Sequence, residues 1–156
     1  MVQEGRSDQL DAFYREQAPG MVRLAFLLTG GSGAAEELVQ EAFFQVHRRW
    51  ESIERPGAYL RTAVVHGAAS HRRRRDLELA KGYERRSEAI DGLAEPSDDL
   101  RAALARLPDR QRAAVVLRYY EDLPEAEIAS LLGCRVPAVK SLLHRALQQL
   151  REVVER

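Results

Sequence analysis

The chain has 156 residues, 45% of them hydrophobic, which is enough for one ordinary domain or two small helical ones with buried cores, and this excludes disorder throughout. The formal net charge is +0, so the protein as a whole does not attract nucleic acid, and any DNA binding must depend on local patches. Basic residues are concentrated between residues 48 and 75 and acidic ones between residues 76 and 99, so the neutral total conceals two segments of opposite charge.

Helical patterns dominate the sequence, because apolar residues recur every three or four positions and Gly, Pro and Ser separate the segments. We therefore expect an all-α protein. The first helix is predicted from residue 7 or 8 to residue 18. The second helix is predicted to begin with Pro19, in a first-turn position, and to end at Gly30 and Gly31.

The third and fourth helices are predicted on either side of the loop ESIERPG. Ser32 is expected to cap the third helix, which ends near Trp50 and has acidic residues in its first turn, where the helix dipole favours them. The fourth helix is predicted to begin near Pro56 and to run through TAVVHGAASHRRRR. From residue 76 to residue 96 the apolar period weakens, which predicts a linker, with a solvated extension of the fourth helix over residues 76–86 as the alternative.

Four further helices are predicted after the linker, in the segments SDDLRAALARL, PDRQRAAVVLRYYED, LPEAEIASLLG and VPAVKSLLHRALQQLREVVE. The chain is therefore expected to form two compact helical units joined by a tether. The last two segments give a short helix, a tight turn through Gly133 and a longer helix, which is the spacing of a helix-turn-helix motif.

The last helix has two distinct faces. Its apolar residues fall on one face at helical spacing: Val139, Leu142, Leu143, Ala146, Leu147 and Leu150. The opposite face carries Lys140, Ser141, His144, Arg145 and Gln148. A helix that is held by its apolar side and presents cations and hydrogen-bonding groups outward is suited to reading the DNA major groove, although an ordinary amphipathic helix of a bundle has the same pattern.

The third helix carries an aromatic residue, Phe44, on its polar side. The apolar face of this helix consists of Leu38, Ala42, Phe43, Val46 and Trp50, whereas Phe44 lies among Glu37, Gln40, Glu41 and Arg48. An exposed Phe in a polar setting is a candidate anchor for a protein partner, but isolated exposed aromatics also occur by chance.

Basic charge lies close to aromatic residues at the fourth helix. The run 71–75 is basic, and the loop before the helix and its first turn contain Trp50, Ile53 and Tyr59. This combination suits phosphate contact and stacking on unpaired bases. The alternative is that the arginine run only increases solubility, and Trp50 and Tyr59 fit a hydrophobic core equally well.

No residue pattern indicates catalysis, a cofactor or a metal site. The four histidines form no zinc-protease pattern, Cys134 is the single cysteine and has no partner for a metal site or a disulfide, and no glycine loop suits a phosphate. The start of the chain lacks the apolar core of a signal peptide, and the apolar stretch 21–28 is too short to cross a bilayer. We therefore expect a cytoplasmic protein without membrane insertion.

Several segments together resemble a known family. AAEELVQEAFFQVHRRW, PGAYLRTAVV, the RRRR run, LPDRQRAAVVLRYYEDLPEAEIASLLGC, AVKS and RAL are similar to the extracytoplasmic-function sigma factors of actinobacteria, over residues 10–75 and 100–151. The resemblance implies a region 2 domain at 1–75, a linker at 76–96 and a region 4 domain at 97–156. It also implies a protein that is not an enzyme but directs RNA polymerase to promoters.

The resemblance implies three sets of binding residues. Core polymerase, through the clamp helices of its largest subunit, would contact Glu37, Gln40, Glu41, Phe44 and Arg48. Melted DNA of the −10 element would contact Arg55, Tyr59, Arg61, His66, Arg72, Arg73, Arg74 and Arg75. The −35 element would contact Arg135, Lys140, Ser141, His144 and Arg145. The polymerase flap region and an anti-sigma factor are further implied partners, and the linker would run toward the RNA exit channel.

The chain departs from the family pattern in both domains. The family usually has Asn where His66 stands, and an Asp where Gly31 stands. In region 4 it usually has Thr and Arg at the positions of Ala138 and Leu142, so two polar groups for phosphates or bases are missing, and Arg135 is expected to replace part of the lost charge.

Two other classes of function remain open from the residues. A dimeric helix-turn-helix regulator would bind a palindrome without polymerase. A sigma-like protein that has lost promoter recognition would bind polymerase without supporting initiation.

Overall fold

The computed structural model describes residues 2–82 and 98–154, which form seven α-helices and a 3-10 turn and no β-strand. The helices are α1 (Val2–Thr29), α2 (Ser32–Arg48), α3 (Pro56–Ala80), α4 (Asp98–Arg106), α5 (Asp109–Tyr119), α6 (Glu125–Leu132) and α7 (Val136–Val154), and the 3-10 turn is Trp50–Ser52. The all-α prediction is confirmed. None of the helices in the described part of the chain is long and apolar enough to span a membrane.

The helix break predicted at Pro19 is wrong, because α1 continues from Val2 to Thr29 with Pro19 inside it. Proline has no N–H, so the carbonyl of Arg15, four residues earlier, loses its helical donor. Because Pro19 is exposed, that side of the helix faces water. The packing of α1 along α2 and α3 offsets a cost of about 3 kcal/mol for an interior proline.

The turn between α1 and α2 uses glycine rather than a serine cap. Gly30 has a φ of 78°, in the left-handed region that favours glycine, and its N–H donates to the carbonyl of Phe26 at 2.7 Å, so α1 ends where predicted. The cap of α2 is Gly31, whereas Ser32 is the first helical residue. The prediction that Ser32 caps this helix is therefore wrong, and α2 begins without a side-chain cap.

Helix α3 begins with Pro56, as predicted, because proline is tolerated in the first turn of a helix. It ends at Ala80, and Gly82 follows with a φ of 90°. Residues 76–80 of the predicted linker are thus helical, as in the alternative of an extended fourth helix. The part of the linker from residue 83 to residue 96 lies outside the described residues.

The helices bury two sets of apolar side chains. In the first unit, α1 to α3, Leu24, Val46 and Leu60 are essentially inaccessible to solvent, and in the second unit, α4 to α7, Leu117 and Ile128 are. The two units also touch each other, because α1 and α3 pack against α5, and α3 also packs against α6. The buried residues therefore form one continuous cluster across both units.

An arginine of α5, Arg112, is buried at this junction with 3% of its surface exposed. Its Nε donates to the carbonyl of Leu104 at 2.8 Å, and its Nη2 donates to that of Leu107 at 2.6 Å. Its Nη1 donates to Asp109 and, at 3.4 Å, to the carbonyl of Leu28 in the first unit. Burial is the main cause that lowers the pKa of Arg112, but a guanidinium remains charged in proteins.

We predict that Arg112→Met lowers the free energy of unfolding by about 3 kcal/mol, because it leaves buried carbonyls at the end of α4 without their donor. Urea unfolding followed by circular dichroism measures the change. The matched control is Arg110→Met, since Arg110 is exposed and makes one bond, to the carbonyl of Leu132 at 3.2 Å. Equal losses in the two variants would contradict this account of Arg112.

Candidate nucleic-acid interface

The outward face of α2 carries the predicted polymerase-binding residues. Phe44 is 54% exposed, and the guanidinium of Arg48 lies 5.8 Å from its ring centroid. The other predicted residues on this face, Glu37, Gln40 and Glu41, are also exposed. The opposite face is buried through Ala35, Val39, Ala42 and Val46. The prediction that Phe44 points away from the buried face of the helix is therefore confirmed.

A groove between α2 and α3 brings two of the predicted sets together. It has a volume of about 630 Å³ and is lined by Glu37 and Glu41 from α2 and by Tyr59, His66 and Arg74 from α3. The floor of the groove is closely packed at Gly67, where an added Cβ would lie 2.7 Å from Cδ2 of Leu38. Polymerase-binding and −10 DNA-binding candidates thus share one concave surface, with carboxylates on one side and cationic or aromatic groups on the other.

The two aromatic candidates, Trp50 before α3 and Tyr59 in its first turn, both pack against the core but differ in their other neighbours. Trp50 is half-buried, and its ring centroid lies 5.3 Å from that of Phe13 in α1, so Trp50 packs against the core. Tyr59 is also half-buried, yet it lines both the groove and a shallow hollow formed with Ile53 and Arg55. Of the two aromatic candidates, Tyr59 is therefore the better placed to meet a base.

The four arginines of the basic run, in the second half of α3, form two pairs with different surroundings. Nη1 of Arg72 and Nη1 of Arg75 donate to the carbonyl of Thr29 at 3.2 and 3.5 Å, so both cap the end of α1. Arg73 and Arg74 are exposed. The run therefore contains two arginines that cap α1 and two that are exposed, of which Arg73 donates from Nη2 to Oγ of Ser70 at 3.4 Å.

Three of the predicted −10 residues contact the second unit. The following bonds, called the α3 contact from here on, join Nε of Arg61 to Oε2 of Glu121 at 3.0 Å, Nε of Arg72 to Oδ1 of Asp109 at 2.9 Å, and Nε2 of His66 to the carbonyl of Leu131 at 3.1 Å. Another predicted −10 residue, Arg55, remains exposed.

The second unit contains the predicted helix-turn-helix, formed by α6 and α7. Gly133 ends α6 with a φ of 65°, a left-handed conformation that allows the tight turn. Val139, Leu143 and Ala146 of α7 are buried. The predicted −35 residues are all exposed: Arg135, Lys140, Ser141, His144 and Arg145. The two-faced pattern predicted for this helix is therefore present.

Sequence reasoning missed the polar residues that join the units. Arg112 directly precedes the apolar segment AAVVL, and Asp109 and Glu121 look like ordinary surface acids. Tyr120 was also missed: its hydroxyl donates to the carbonyl of Gly20 at 3.3 Å, and burial raises the pKa of Tyr120. The local signal that could have indicated this junction is the position of Arg112, an arginine on the buried face of a predicted helix.

The described residues contain no group of three or more His, Cys, Asp and Glu side chains placed to hold a metal ion. Cys134 is half-buried and not part of a disulfide. What the geometry provides is instead a set of binding surfaces: an exposed aromatic face, a groove with cationic and aromatic groups, and a helix with an exposed polar face.

Comparisons with known proteins match both helical units of this chain to described families. A family model described as Sigma-70 region 2 matches residues 13–78, and one described as Sigma-70, region 4 matches residues 97–150. The RNA polymerase sigma-E factor of Streptomyces coelicolor is 33% identical over 150 residues, which cover 92% of this chain and 85% of that protein. The ECF RNA polymerase sigma factor SigE of Mycolicibacterium smegmatis is 35% identical over 155 residues, covering 91% of this chain and 60% of that protein.

A solved structure has a similar arrangement of helices. The sigma factor RpoE of Bartonella quintana, in a co-crystal structure with the anti-sigma factor NepR, matches with a TM-score of 0.76 at 25% identity. The match covers 92% of this chain and 97% of that one. The similarity therefore extends over both helical units.

Proposed function

Because this chain belongs to the sigma-70 family, as an extracytoplasmic-function sigma factor that directs promoter-specific initiation, we propose that each of its three surfaces binds one component of the initiation complex. The α2 face binds core polymerase, α3 and its preceding loop bind the melted −10 element, and α7 binds the −35 element. The protein lends specificity to a polymerase, performs no catalysis of its own and acts in the cytoplasm. The exposed position of Phe44 is the observation that carries this proposal.

The polymerase contact is proposed at Phe44 with Glu37, Gln40, Glu41 and Arg48 around it. A large apolar ring that is 54% exposed loses contact with water when a partner covers it, and such a residue commonly dominates an interface. The surrounding carboxylates and Arg48 would form the polar rim, which favours a partner with complementary charges. The clamp helices of the largest polymerase subunit are the proposed partner.

The −10 contact is proposed along α3 and the loop before it. Arg55, Arg73 and Arg74 are exposed and would pair with phosphates. Tyr59, at the edge of the groove, would stack on an unpaired base. Unpairing a base costs a few kcal/mol, so binding the flipped base stabilises the open complex.

The −35 contact is proposed at the exposed face of α7. Arg145 and Lys140 lie on this face, and a guanidinium is suited to a bidentate contact with a guanine edge, whereas an ammonium acts as a point charge for phosphate. Arg135, just before α7, would add a phosphate contact. Because Ala138 and Leu142 offer no polar group, Lys140 and Arg145 would carry most of the recognition.

An anti-sigma factor is a further proposed partner. The sigma factor of Bartonella quintana that matches this fold is held in a complex with the anti-sigma factor NepR. A comparable partner of this chain would compete with polymerase, since both would use surfaces of the two helical units.

Run-off transcription with core polymerase and a genomic promoter library tests the proposal as a whole. Transcripts that start at defined sites only when the protein is added would support it. Binding to polymerase without any defined transcript would instead indicate an interaction module, and binding to a palindrome without polymerase would indicate an ordinary dimeric regulator.

For the polymerase contact, we predict that Phe44→Ala weakens the binding of core polymerase by about 1 to 3 kcal/mol. Because much of the Phe44 ring is already in contact with water, its removal should change the free energy of unfolding little. Fluorescence titration against core polymerase and urea unfolding measure the two quantities. A control is Tyr119→Ala, since Tyr119 is 62% exposed and has the guanidinium of Arg118 at 5.9 Å from its ring centroid, but belongs to α5. A stability loss like that of Leu60→Ala, about 2 to 5 kcal/mol, with unchanged affinity would place Phe44 in the core.

For the −10 contact, we predict that Arg73→Ala combined with Arg74→Ala impairs open-complex formation more than polymerase binding, because both arginines are exposed and can pair with phosphates. Permanganate footprinting on linear and on pre-melted promoters separates melting from binding. Arg72 and Arg75 are kept, since they cap α1. Footprints of equal strength for parent and variant on both templates would reduce the exposed pair to a solubilising role.

For the −35 contact, we predict that Arg145→Ala costs about 1 to 3 kcal/mol and relaxes sequence choice at one position, whereas Lys140→Ala weakens all sequences alike. Each lost phosphate contact should also reduce the slope of log affinity against log salt concentration by roughly one unit. Titrating the full chain against −35 duplexes at several salt concentrations measures both effects. Gln149→Ala, an exposed α7 substitution outside the proposed set, serves as the control. An unchanged affinity and slope when Lys140→Ala and Arg145→Ala are combined would show that α7 does not read DNA.

A further inference from the structure

A second cavity lies on another face of α3 from the groove between α2 and α3. It has a volume of about 520 Å³, and none of its described lining residues belongs to that groove. The end of α1, the second half of α3, α4 and one residue of α5 form its walls. Four arginines line this cavity, which we call the arginine pocket: Arg72, Arg75, Arg101 and Arg112.

The arginine pocket carries more positive than negative charge. Its four guanidinium groups have two carboxylates near them, that of Asp76 in the wall and that of Asp109 beside it. The end of α1 adds about half a negative charge. Burial is the main cause that lowers the pKa of Arg112, and the charges of Arg72 and Arg75 lower it further, although Asp109 acts in the opposite direction. The arginines therefore repel one another, and a bound anion would relieve this repulsion.

Arg75 has hydrogen-bond donors that the protein does not use. Its Nη1 donates to the carbonyl of Thr29 at 3.5 Å, which is a long bond. Its Nε is closed to solvent and has no partner among the described residues. Because a guanidinium has five N–H groups, a small rotation that gives up the long bond would offer several of them to one anion.

The other arginines of the pocket contribute in different ways. Nε of Arg72 is occupied in the α3 contact, and Arg112 already donates to carbonyls from Nε and from both Nη atoms, so these two supply mainly charge. Arg101 reaches the pocket from α4, and its guanidinium lies 4.9 Å from the ring centroid of Phe26. Arg75 and Arg101 are therefore the arginines best suited to bind an anion directly.

The rest of the pocket is apolar. Phe26 and Leu27 of α1, Leu79 of α3 and Leu104 of α4 belong to its wall. Leu79 is 49% exposed, so its side chain offers apolar surface that a ligand can cover. A small inorganic anion would leave this surface in contact with water, whereas an organic anion would cover it.

We propose that the arginine pocket binds a phosphorylated small molecule, with its phosphoryl group held by Arg75 and Arg101 and its carbon skeleton against Leu79. Guanidinium groups match phosphoryl oxygens in charge and geometry. The pocket also falls within the range of roughly 300 to 1,000 Å³ that is usual for small-molecule sites. The site does not depend on the polymerase and DNA contacts proposed above.

A ligand in this pocket would touch both helical units, because Arg75 and Leu79 belong to the first and Arg101 to the second. A ligand that binds the folded protein and not the unfolded chain raises its melting temperature. Binding is therefore expected to stabilise the protein against heat.

Isothermal titration calorimetry of the full chain tests the proposal with two probes, phenyl phosphate and inorganic phosphate. Both are titrated at constant ionic strength and at about pH 8, where a phosphoryl group carries close to two negative charges. The variants are Arg75→Met, Arg75→Lys and Arg101→Met. The matched control is Arg106→Met, since Arg106 is an exposed arginine of α4 outside the pocket and its loss changes the net charge equally.

We expect one phenyl phosphate to bind per chain, and Arg75→Met and Arg101→Met to weaken this binding by about tenfold or more. Arg75→Lys keeps the charge but loses Nε, so it should weaken binding less. Arg106→Met should leave the affinity within about twofold, because exposed charges are screened. If Arg75→Met fails to fold, as judged by circular dichroism, Arg101→Met and Arg75→Lys decide the outcome.

The apolar wall is tested by Leu79→Ala, with Leu77→Ala as its control, since Leu77 is 62% exposed and outside the pocket. The parent should bind phenyl phosphate about tenfold more tightly than inorganic phosphate, and Leu79→Ala alone should reduce this difference. Equal affinities of the parent for the two probes would overturn the organic ligand in favour of free phosphate.

Two further results would overturn the proposal. The first is no binding at one site per chain, or equal weakening by Arg101→Met and Arg106→Met, which would indicate general attraction of anions. The second is displacement of phenyl phosphate by a single-stranded oligonucleotide whose own binding is weakened by Arg75→Met and Arg101→Met. That result would assign the pocket to the DNA backbone.

Discussion

The end of α1 is the point on which the arrangement of the two units depends. The last carbonyls of a helix have no partner within the helix and carry partial negative charge. Here Arg72 and Arg75 from α3 donate to the carbonyl of Thr29, and Arg112 from α5 donates to that of Leu28. One helix end is thus bound by guanidinium groups from both units. The position of α5 relative to α1 follows from this shared contact as well as from apolar packing.

The binding surfaces follow from a simpler constraint, the division of amphipathic helices into two faces. In α2 and α7 the buried side fixes how each helix is rotated, so the opposite side must present its residues to solvent. Val46 and Phe44 are two positions apart in α2, and the first is 1% exposed while the second is 54% exposed. The same logic places Val139 of α7 inside and Lys140 outside. Helix α3 differs, because both units pack against it, so some of its polar residues, such as Arg61 and Arg72, contact protein as well as solvent.

Local patterns in the sequence predict the helices well, and contacts between distant residues poorly. The left-handed Gly133 turn, the start of α3 at Pro56 and the outward Phe44 all depend on neighbours within a few positions. Pro19 was misjudged because its cost was offset by packing with α2 and α3, which no local pattern contains. Arg61 and Glu121 are 60 positions apart, so no local pattern in the sequence indicates their pairing; Arg61 lies in a helix as predicted, whereas Glu121 lies beyond the end of α5, in a segment predicted as helical. The residue-level assignment of the DNA and polymerase contacts stays a prediction.

The Asp109 carboxylate is divided between two arginines, one from each unit. Arg112 binds Asp109 from within the second unit, and Arg72 binds it from the first. If the units move apart, Arg112 keeps Asp109 and the α4 carbonyls, while Arg72 keeps the carbonyl of Thr29. The groups that would lose a partner, Nε of Arg72 and the carbonyl of Leu28, would then form hydrogen bonds with water. Each unit therefore retains its own internal bonds, and separation resembles the dissociation of a transient complex more than the first step of unfolding.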